Sequence, residues 1–304
     1  MSAPLALPET SPETPFLFRL EPAAQYSIEQ LTAAYNQTRV DYLVPMPMNA
    51  ARLAEYVHHY DVDLAHSFVA EADGQMLGLG MLGVRPRATW VTRLGVLPVE
   101  RRNGVGRAIL QSLLDASEQL GRPQTILEVI QNNTPAHQLF LANGFKEARE
   151  LVVLRRPPGP PPFPPPGEAR WLERAEALAL LAQRLQPESW ITDTPSLVHV
   201  DNLMGFVLTL PAVGRGWLIF EHQRHGKFIV VLARLALRTE AGDPVQVGQA
   251  LLAHLYRRFP DLDTHTENID ATNPHLPALH ALGYVESFRR IEMCRARGAG
   301  GPAA

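Results

Sequence analysis

The run Leu94-Gly95-Val96-Leu97-Pro98-Val99-Glu100-Arg101-Arg102-Asn103-Gly104-Val105-Gly106-Arg107-Ala108 decides the fold. A strand pattern over Ala88 to Val96 is stopped by Pro98. A turn with glycines at 104 and 106 then opens a helical pattern over Gly104 to Leu120, with Ile109, Leu113, Ala116 and Leu120 on one face. Glycines let the backbone curl so that successive N–H groups face one point. The unpaired first N–H groups of the helix and its positive dipole end face that same point. Arg101, Arg102 and Arg107 add positive charge. Such a turn suits a pyrophosphate, although alone it is equally compatible with a structural strand-to-helix turn. It lacks the Gly-Lys-Ser/Thr of a Walker A loop and the third glycine of a Rossmann fingerprint.

Outward from this run the elements alternate. Ser27 to Arg39 and Asn49 to Tyr60 read as helices, joined by an irregular stretch, Asp41 to Met48. His66 to Ala72 and Gln75 to Val84 read as strands joined by an Asp73-Gly74 hairpin turn. Downstream come a strand (Thr125 to Ile130), a helix (Thr134 to Ala142), a Gly144 stop and a strand from Phe145 to Arg155. This is an α/β (α+β) pattern with a mostly antiparallel sheet.

Pro157 to Gly167 is eight-elevenths proline, which predicts a semi-rigid polyproline spacer of roughly 34 Å. Beyond it the order recurs more faintly: strands at Trp217 to His222 and Lys227 to Leu237, a helix at Gly248 to Phe259, a strand at Asp263 to Asn268, a helix at Pro274 to Leu282 and a strand at Tyr284 to Cys294. Glu128, Pro135, Gly144 and Phe145 align without gaps, at an offset of 139, with Glu267, Pro274, Gly283 and Tyr284. Either the chain is an internal duplication, or two α/β halves resemble each other by chance. Residues 1–15 and 295–304, rich in Pro, Gly, Ala and Ser, are expected to fray.

The 304 residues suit two domains, and 46% hydrophobic residues suffice for a sizeable core. With 28 basic and 31 acidic residues there is no basic footprint for nucleic acid. No apolar run reaches the ~18 residues of a membrane helix, and no secretory signal pattern opens the chain. The expectation is a soluble, cytoplasmic protein. A single cysteine, Cys294, excludes an intrachain disulfide and reads as a small buried hydrophobe; no metal-type motif is present, so none is expected.

Val96-x-Pro98-x-x-Arg101-x-x-Gly104-x-Gly106, followed by Leu127-Glu128-Val129, Asn133-x-x-Ala136-x-x-Leu139 and Gly144-Phe145, resembles the GNAT superfamily of N-acetyltransferases. The motifs span residues 94–145. The resemblance implies acetyl-CoA as co-substrate, its pyrophosphate held by Arg101, Arg102, Asn103, Gly104, Val105, Gly106 and Arg107. It implies that Leu94, Gly95 and Val96 offer backbone groups to the pantetheine arm and thioester, and that Asn133 contacts the same region. Glu128 matches an acidic residue used as general base in the ribosomal-protein N-terminal acetyltransferase branch. Its substitution would then slow transfer most at low pH. Read from its position alone, Glu128 is also a polar strand residue facing solvent or pairing with an arginine.

Two departures stand out. Phe140 occupies the place where the family often has a tyrosine that protonates the leaving thiolate; Tyr42 or Tyr56 are alternatives. Met46, Met48, Tyr56 and Tyr60 either shape an acceptor site or belong to the core. In the second half, Asp243, Gln246 and Gly248 replace Arg101, Gly104 and Gly106, which reads as a degenerate copy. The resulting expectation is two tandem GNAT-like domains, 1–155 and 169–304, around a 156–168 linker. The first would bind one acetyl-CoA and acetylate an amine, either a small molecule or a protein N-terminus, by direct attack. The rival is a weak or inactive acyl-CoA-binding sensor. Neither nucleic acid nor membrane is an expected partner, and the chain would be a monomer or homodimer.

Overall fold

The computed structural model describes residues 17–225 and 228–298. The first half runs β1 (Arg19–Pro22), α1 (Ile28–Gln37), α2 (Ala50–His59), β2 (Phe68–Ala72), β3 (Gln75–Arg85), β4 (Ala88–Val96), α3 (Val105–Gln119), β5 (Gln124–Ile130), α4 (Thr134–Ala142) and β6 (Lys146–Arg156). The second runs β7 (Ala169–Leu172), α5 (Arg174–Ala182), α6 (Thr194–Val198), β8 (Leu203–Leu210), β9 (Gly214–His225), β10 (Phe228–Gly242), α7 (Pro244–Arg258), β11 (Asp263–Asp270), α8 (Leu276–Ala281) and β12 (Val285–Ala296). Lys227, the expected start of β10, lies outside the described residues, as do 1–16 and 299–304. Fraying from residue 295 is not what the structure shows: β12 continues to Ala296, and buried Arg295 donates to Glu118 at 3.0 Å.

Local chemistry explains the boundaries. Ser27 and Gln30 form a reciprocal capping box at α1, and the Asn49 carboxamide accepts from Arg52 N at α2. Asp73 and Gly74, at φ +50° and +77°, make the tight turn between β2 and β3. The two halves end their fourth and eighth helices identically. Gly144 and Gly283 adopt φ of +83° and +91°, Phe145 N donates to Phe140 O, and Tyr284 N donates to Leu279 O.

All twelve strands form one sheet in the order β1-β2-β3-β4-β5-β12-β6-β11-β10-β9-β8-β7. The closing strands of the halves are exchanged. β12 lies antiparallel between β5 and β6, and β6 lies antiparallel against β11. In each half one parallel pair is short and then splays: β4 meets β5 only over Thr89–Val91, and β10 meets β11 only over Val231–Ala233.

The proline-rich connection, expected as a semi-rigid spacer, is docked along the second half. Buried Arg156 stacks 3.6 Å over the Tyr256 ring and donates to Leu282 O, Gly159 O and Pro160 O. Gly159 N donates to Pro260 O, and Phe163 packs on the second-half core. The segment before α6 crosses the other way. Trp190 stacks on Trp90 at 5.6 Å, and its Nε1 donates to Tyr60 O, placing it in the core of the first half.

Residues 1–168 expressed alone are expected to aggregate or lack a cooperative thermal transition, because β5 and β6 lose β12 from between them. Co-expression with residues 169–304 should restore a single transition by circular dichroism. A soluble, cooperatively melting 1–168 fragment would contradict this dependence.

Candidate active site

A cleft of about 1640 Å³ opens where β4 and β5 splay, lined by residues of both halves. At one end sits the first turn of α3. Gly104, its N-cap, has φ +81°, and no side chain caps the helix. The N–H groups of Val105, Gly106 and Arg107 precede the first intrahelical bond, Ala108 N to Gly104 O. A Cβ added at Gly104 would meet nothing within 4 Å, so this turn faces open space. The chemistry fits a polyanion: an uncapped helix dipole, free N–H donors, and Arg102 and Arg107 exposed without a carboxylate partner among the described residues. Arg101 is committed elsewhere. Its guanidinium pairs with both Asp41 oxygens at 2.7 Å and donates to Thr38 O and Val96 O at 3.3 Å. Its place is a clamp between the turn and the stretch after α1. Val105 turns its side chain into the core and so has only backbone to offer, and the exposed Asn103 carboxamide donates to Glu100 at 3.3 Å. Asn133 lines the cleft, and its carboxamide oxygen caps α4 at Ala136 N.

Beyond Val91 one edge of β4 is unpaired, and a bulge interrupts its other edge. Thr92 pairs with Met81 and Gly95 with Leu79, leaving Arg93 and Leu94 opposite one residue. Arg93 has φ +54°, a left-handed conformation uncommon outside glycine. The Leu94 carbonyl accepts from Arg39 and the Val96 carbonyl from Arg101, so these two acceptors are engaged by the protein itself.

Glu128, on β5, projects half-buried into the cleft. Its Oε2 accepts from Trp90 Nε1 at 2.6 Å and its Oε1 from Asn268 Nδ2 at 3.2 Å. Burial, with the Glu292 carboxylate opposite on β12, pushes its pKa up to about 7; Arg290, the Trp90 bond and Arg149 oppose that rise. Asn268 Oδ1 in turn accepts from Arg290 Nη1 at 2.5 Å, and Arg290 pairs with Glu267 at 2.9 Å. A continuous chain of bonds thus runs Trp90–Glu128–Asn268–Arg290–Glu267. Burial alone would raise Glu267, but Arg290, Arg93 and Arg234 together hold it below the ordinary range.

The second half repeats this geometry without the open helix N-terminus. β10 bulges at Arg234, φ +49°, the counterpart of Arg93. At α7, however, the Asp243 carboxylate accepts from Gln246 N at 2.9 Å, placing the protein's own anion on the helix N-terminus. Gly248 serves packing: a Cβ there would lie 2.9 Å from Ala278 Cβ. Phe140 is buried in the core. Tyr56 belongs to the core and also lines the cleft, its hydroxyl bonded to Thr92 Oγ1 at 2.5 Å; burial raises its pKa. Met46, Met48 and Tyr60 likewise line the cleft. Cys294 does not line it, and burial pushes its thiol up to about 11. Sequence reasoning passed over Arg93, Asn268 and Arg290, though the matching Arg93-Leu94 and Arg234-Leu235 pairs were a visible signal.

Comparison with known proteins agrees with this geometry. Residues 28–145 match the model of the acetyltransferase (GNAT) family. An N-alpha-acetyltransferase of Sulfurisphaera tokodaii is 32% identical over 113 residues, 32% of this chain and 65% of that protein. The chain spans less than two thirds of the length of the curated relatives it matches. A GCN5-related N-acetyltransferase from Sphaerobacter thermophilus superposes with a TM-score of 0.66, covering 97% of this chain and 99% of its own at 16% identity. A tandem GNAT protein from the clavulanic acid biosynthesis pathway gives 0.62, covering 94% and 100% at 14% identity. These two share the fold over both halves. Residues 28–145 thus carry the signature of the acetyltransferase (GNAT) family, and the whole chain shares the fold of tandem members of it.

Proposed function

We propose that the protein is an acetyl-CoA-dependent N-acetyltransferase in which the first half holds the donor and Glu128 takes the proton of the acceptor amine. The carrying observation is that Glu128, with a pKa pushed up to about 7, shares one cleft with the uncapped N-terminus of α3. Acetyl-CoA supplies an activated acetyl thioester. The N–H groups of residues 104–107, with Arg102 and Arg107, would hold its pyrophosphate. Arg101 acts behind them, fixing the turn through Asp41.

An amine of pKa ~10.4 gives its proton to an ordinary carboxylate at a cost of about 8 kcal/mol. Raising the acceptor to about 7 reduces this to roughly 5 kcal/mol, which is the contribution of the Glu128 environment. Trp90 and Asn268 each hold one Glu128 oxygen, leaving a lone pair of the carboxylate for the amine. Transfer is direct: Cys294 lies off the cleft and is protonated at neutral pH. Phe140 has no proton to give, but a thiol of pKa ~8.5 leaves at pH 7 with a penalty of only ~2 kcal/mol. Asp243 occupies the corresponding helix end in the second half, so a single donor molecule per chain follows.

Calorimetric titration of acetyl-CoA should give one site per chain. Gly104→Asp should lose it, with affinity down at least a hundredfold and an unchanged thermal midpoint, since the position is open and Asp tolerates positive φ. Two equivalent sites, or wild-type affinity in the variant, would refute the assignment.

Glu128→Gln should lower kcat/KM for the amine mainly above pH 7. Below about pH 6 the wild-type carboxyl is already protonated, so the two profiles should converge. This reverses the low-pH emphasis expected for an ordinary carboxylate. An unchanged profile would return Glu128 to a structural role.

Asn268→Ala removes a donor that favours the ionised carboxylate. The acid limb of the rate profile should therefore move up by about one pH unit, with acetyl-CoA affinity unchanged. A lower rate with an unmoved limb would make Asn268 merely structural.

A further inference from the structure

The charges on the acceptor side of the cleft do not balance. Apart from Arg52 and the arginines of the α3 turn, the cleft is lined by Arg39, Arg93, Arg234 and Arg290. Arg234 pairs with Glu221 at 3.0 Å and Arg290 with Glu267 at 2.9 Å. Glu128 is the remaining carboxylate of this wall, and at neutral pH it is about half protonated. At the mouth, exposed Arg52 and Glu55 offset each other, and His59 is neutral because burial, with Arg234, brings it down to about 4. Arg39 and Arg93 are left over.

Neither has a carboxylate within ion-pair distance among the described residues. Arg39 donates only to Thr38 Oγ1 and Leu94 O. Arg93 Nη1 donates to the Tyr35 hydroxyl at 3.0 Å, while its Nε is buried with no hydrogen-bond partner. Their guanidinium carbons lie 4.2 and 5.2 Å from the centre of the same Tyr35 ring, and Arg93 lies 4.1 Å over Tyr56. Two like charges are thus held close together by aromatic faces and a strained bulge. Burial, with Arg93 opposing the charge, pulls Arg39 below its ordinary value. Arg93 is half-buried on the cleft wall, and a guanidinium there without a carboxylate at ion-pair distance is a ready partner for an entering anion. The α3 turn that would hold the phosphates has its own cations, Arg102 and Arg107, whereas Arg93 abuts Tyr56 and acts on Glu267.

We propose that the acceptor is an amino carboxylate, its carboxylate bound by Arg93 and Arg39 while its amine faces Glu128. This rests on the acetyl-transfer reading and narrows its acceptor: a neutral amine or an unmodified neutral peptide N-terminus leaves both guanidiniums unpaired.

The full-length protein is assayed by CoA thiol release with α-, β- and γ-amino acids and with the matching carboxamides. At least one free acid should exceed its amide in kcat/KM by tenfold or more. Arg93→Met should erase that preference, lowering the acid's kcat/KM at least tenfold relative to the amide's, with acetyl-CoA affinity unchanged; Arg93→Lys should recover part of it. Equal or better rates with the amides overturn the proposal in the wild-type protein alone, whatever the variants do. Weakened acetyl-CoA binding in Arg93→Met overturns it too, by giving the arginine to the donor. If no acceptor of either set releases CoA, the acetyl-transfer reading is what fails. The anion site is then judged by titrating N-acetylglycine against N-acetylglycinamide, where equal binding or none overturns it.

Discussion

The backbone pairing of β12 between β5 and β6 is the constraint on which the molecule depends. It forces the two halves into one sheet and brings the C-terminal strand alongside the strand that carries Glu128. Glu292 therefore faces Glu128 in register, and Arg290 reaches it through Asn268. The environment of the proposed base belongs to neither half alone. The same exchange explains the docked linker: once β6 lies against β11, Arg156 is buried beside Tyr256 and ties the prolines to the second half.

The halves have diverged in opposite directions around a common plan. Both keep the bulged arginine, the splayed parallel pair and the cleft glutamate. Only the first keeps an open helix N-terminus. In the second, Asp243 satisfies the donors of α7 from within, and Gly248 allows α7 to approach α8. Where the first half has an open turn, the second has a capped, packed helix start. What the second half retains, Glu267 and Arg234, faces the shared cleft and so contributes to its electrostatics.

Those electrostatics set the chemistry. Burial and Glu292 push Glu128 upward, while three arginines keep Glu267 ionised. Two carboxylates related by the repeat thus stand in different protonation states at neutral pH because their neighbours differ. The aromatic stack of Tyr56, Tyr60, Trp90 and Trp190 walls off this region and orients the Trp90 donor toward Glu128.

Much of this was legible in the chain itself. The strand–turn–helix around Gly104, the Asp73-Gly74 hairpin, the Gly144 and Gly283 stops and the place of Glu128 on a strand are local matters of glycine conformation and side-chain period, which neighbouring residues determine. The early second half, β7 to β8, was missed because its short elements draw their stability from packing on β9 and Trp217 rather than from periodicity. The exchange of β6 and β12 was beyond reach for a deeper reason: each strand has the same alternating pattern whichever neighbour it pairs with, so partner choice is a non-local property. From that choice follow the pairing of Glu128 with Asn268 and the commitment of Arg290 to Glu267, neither of which residue spacing alone encodes.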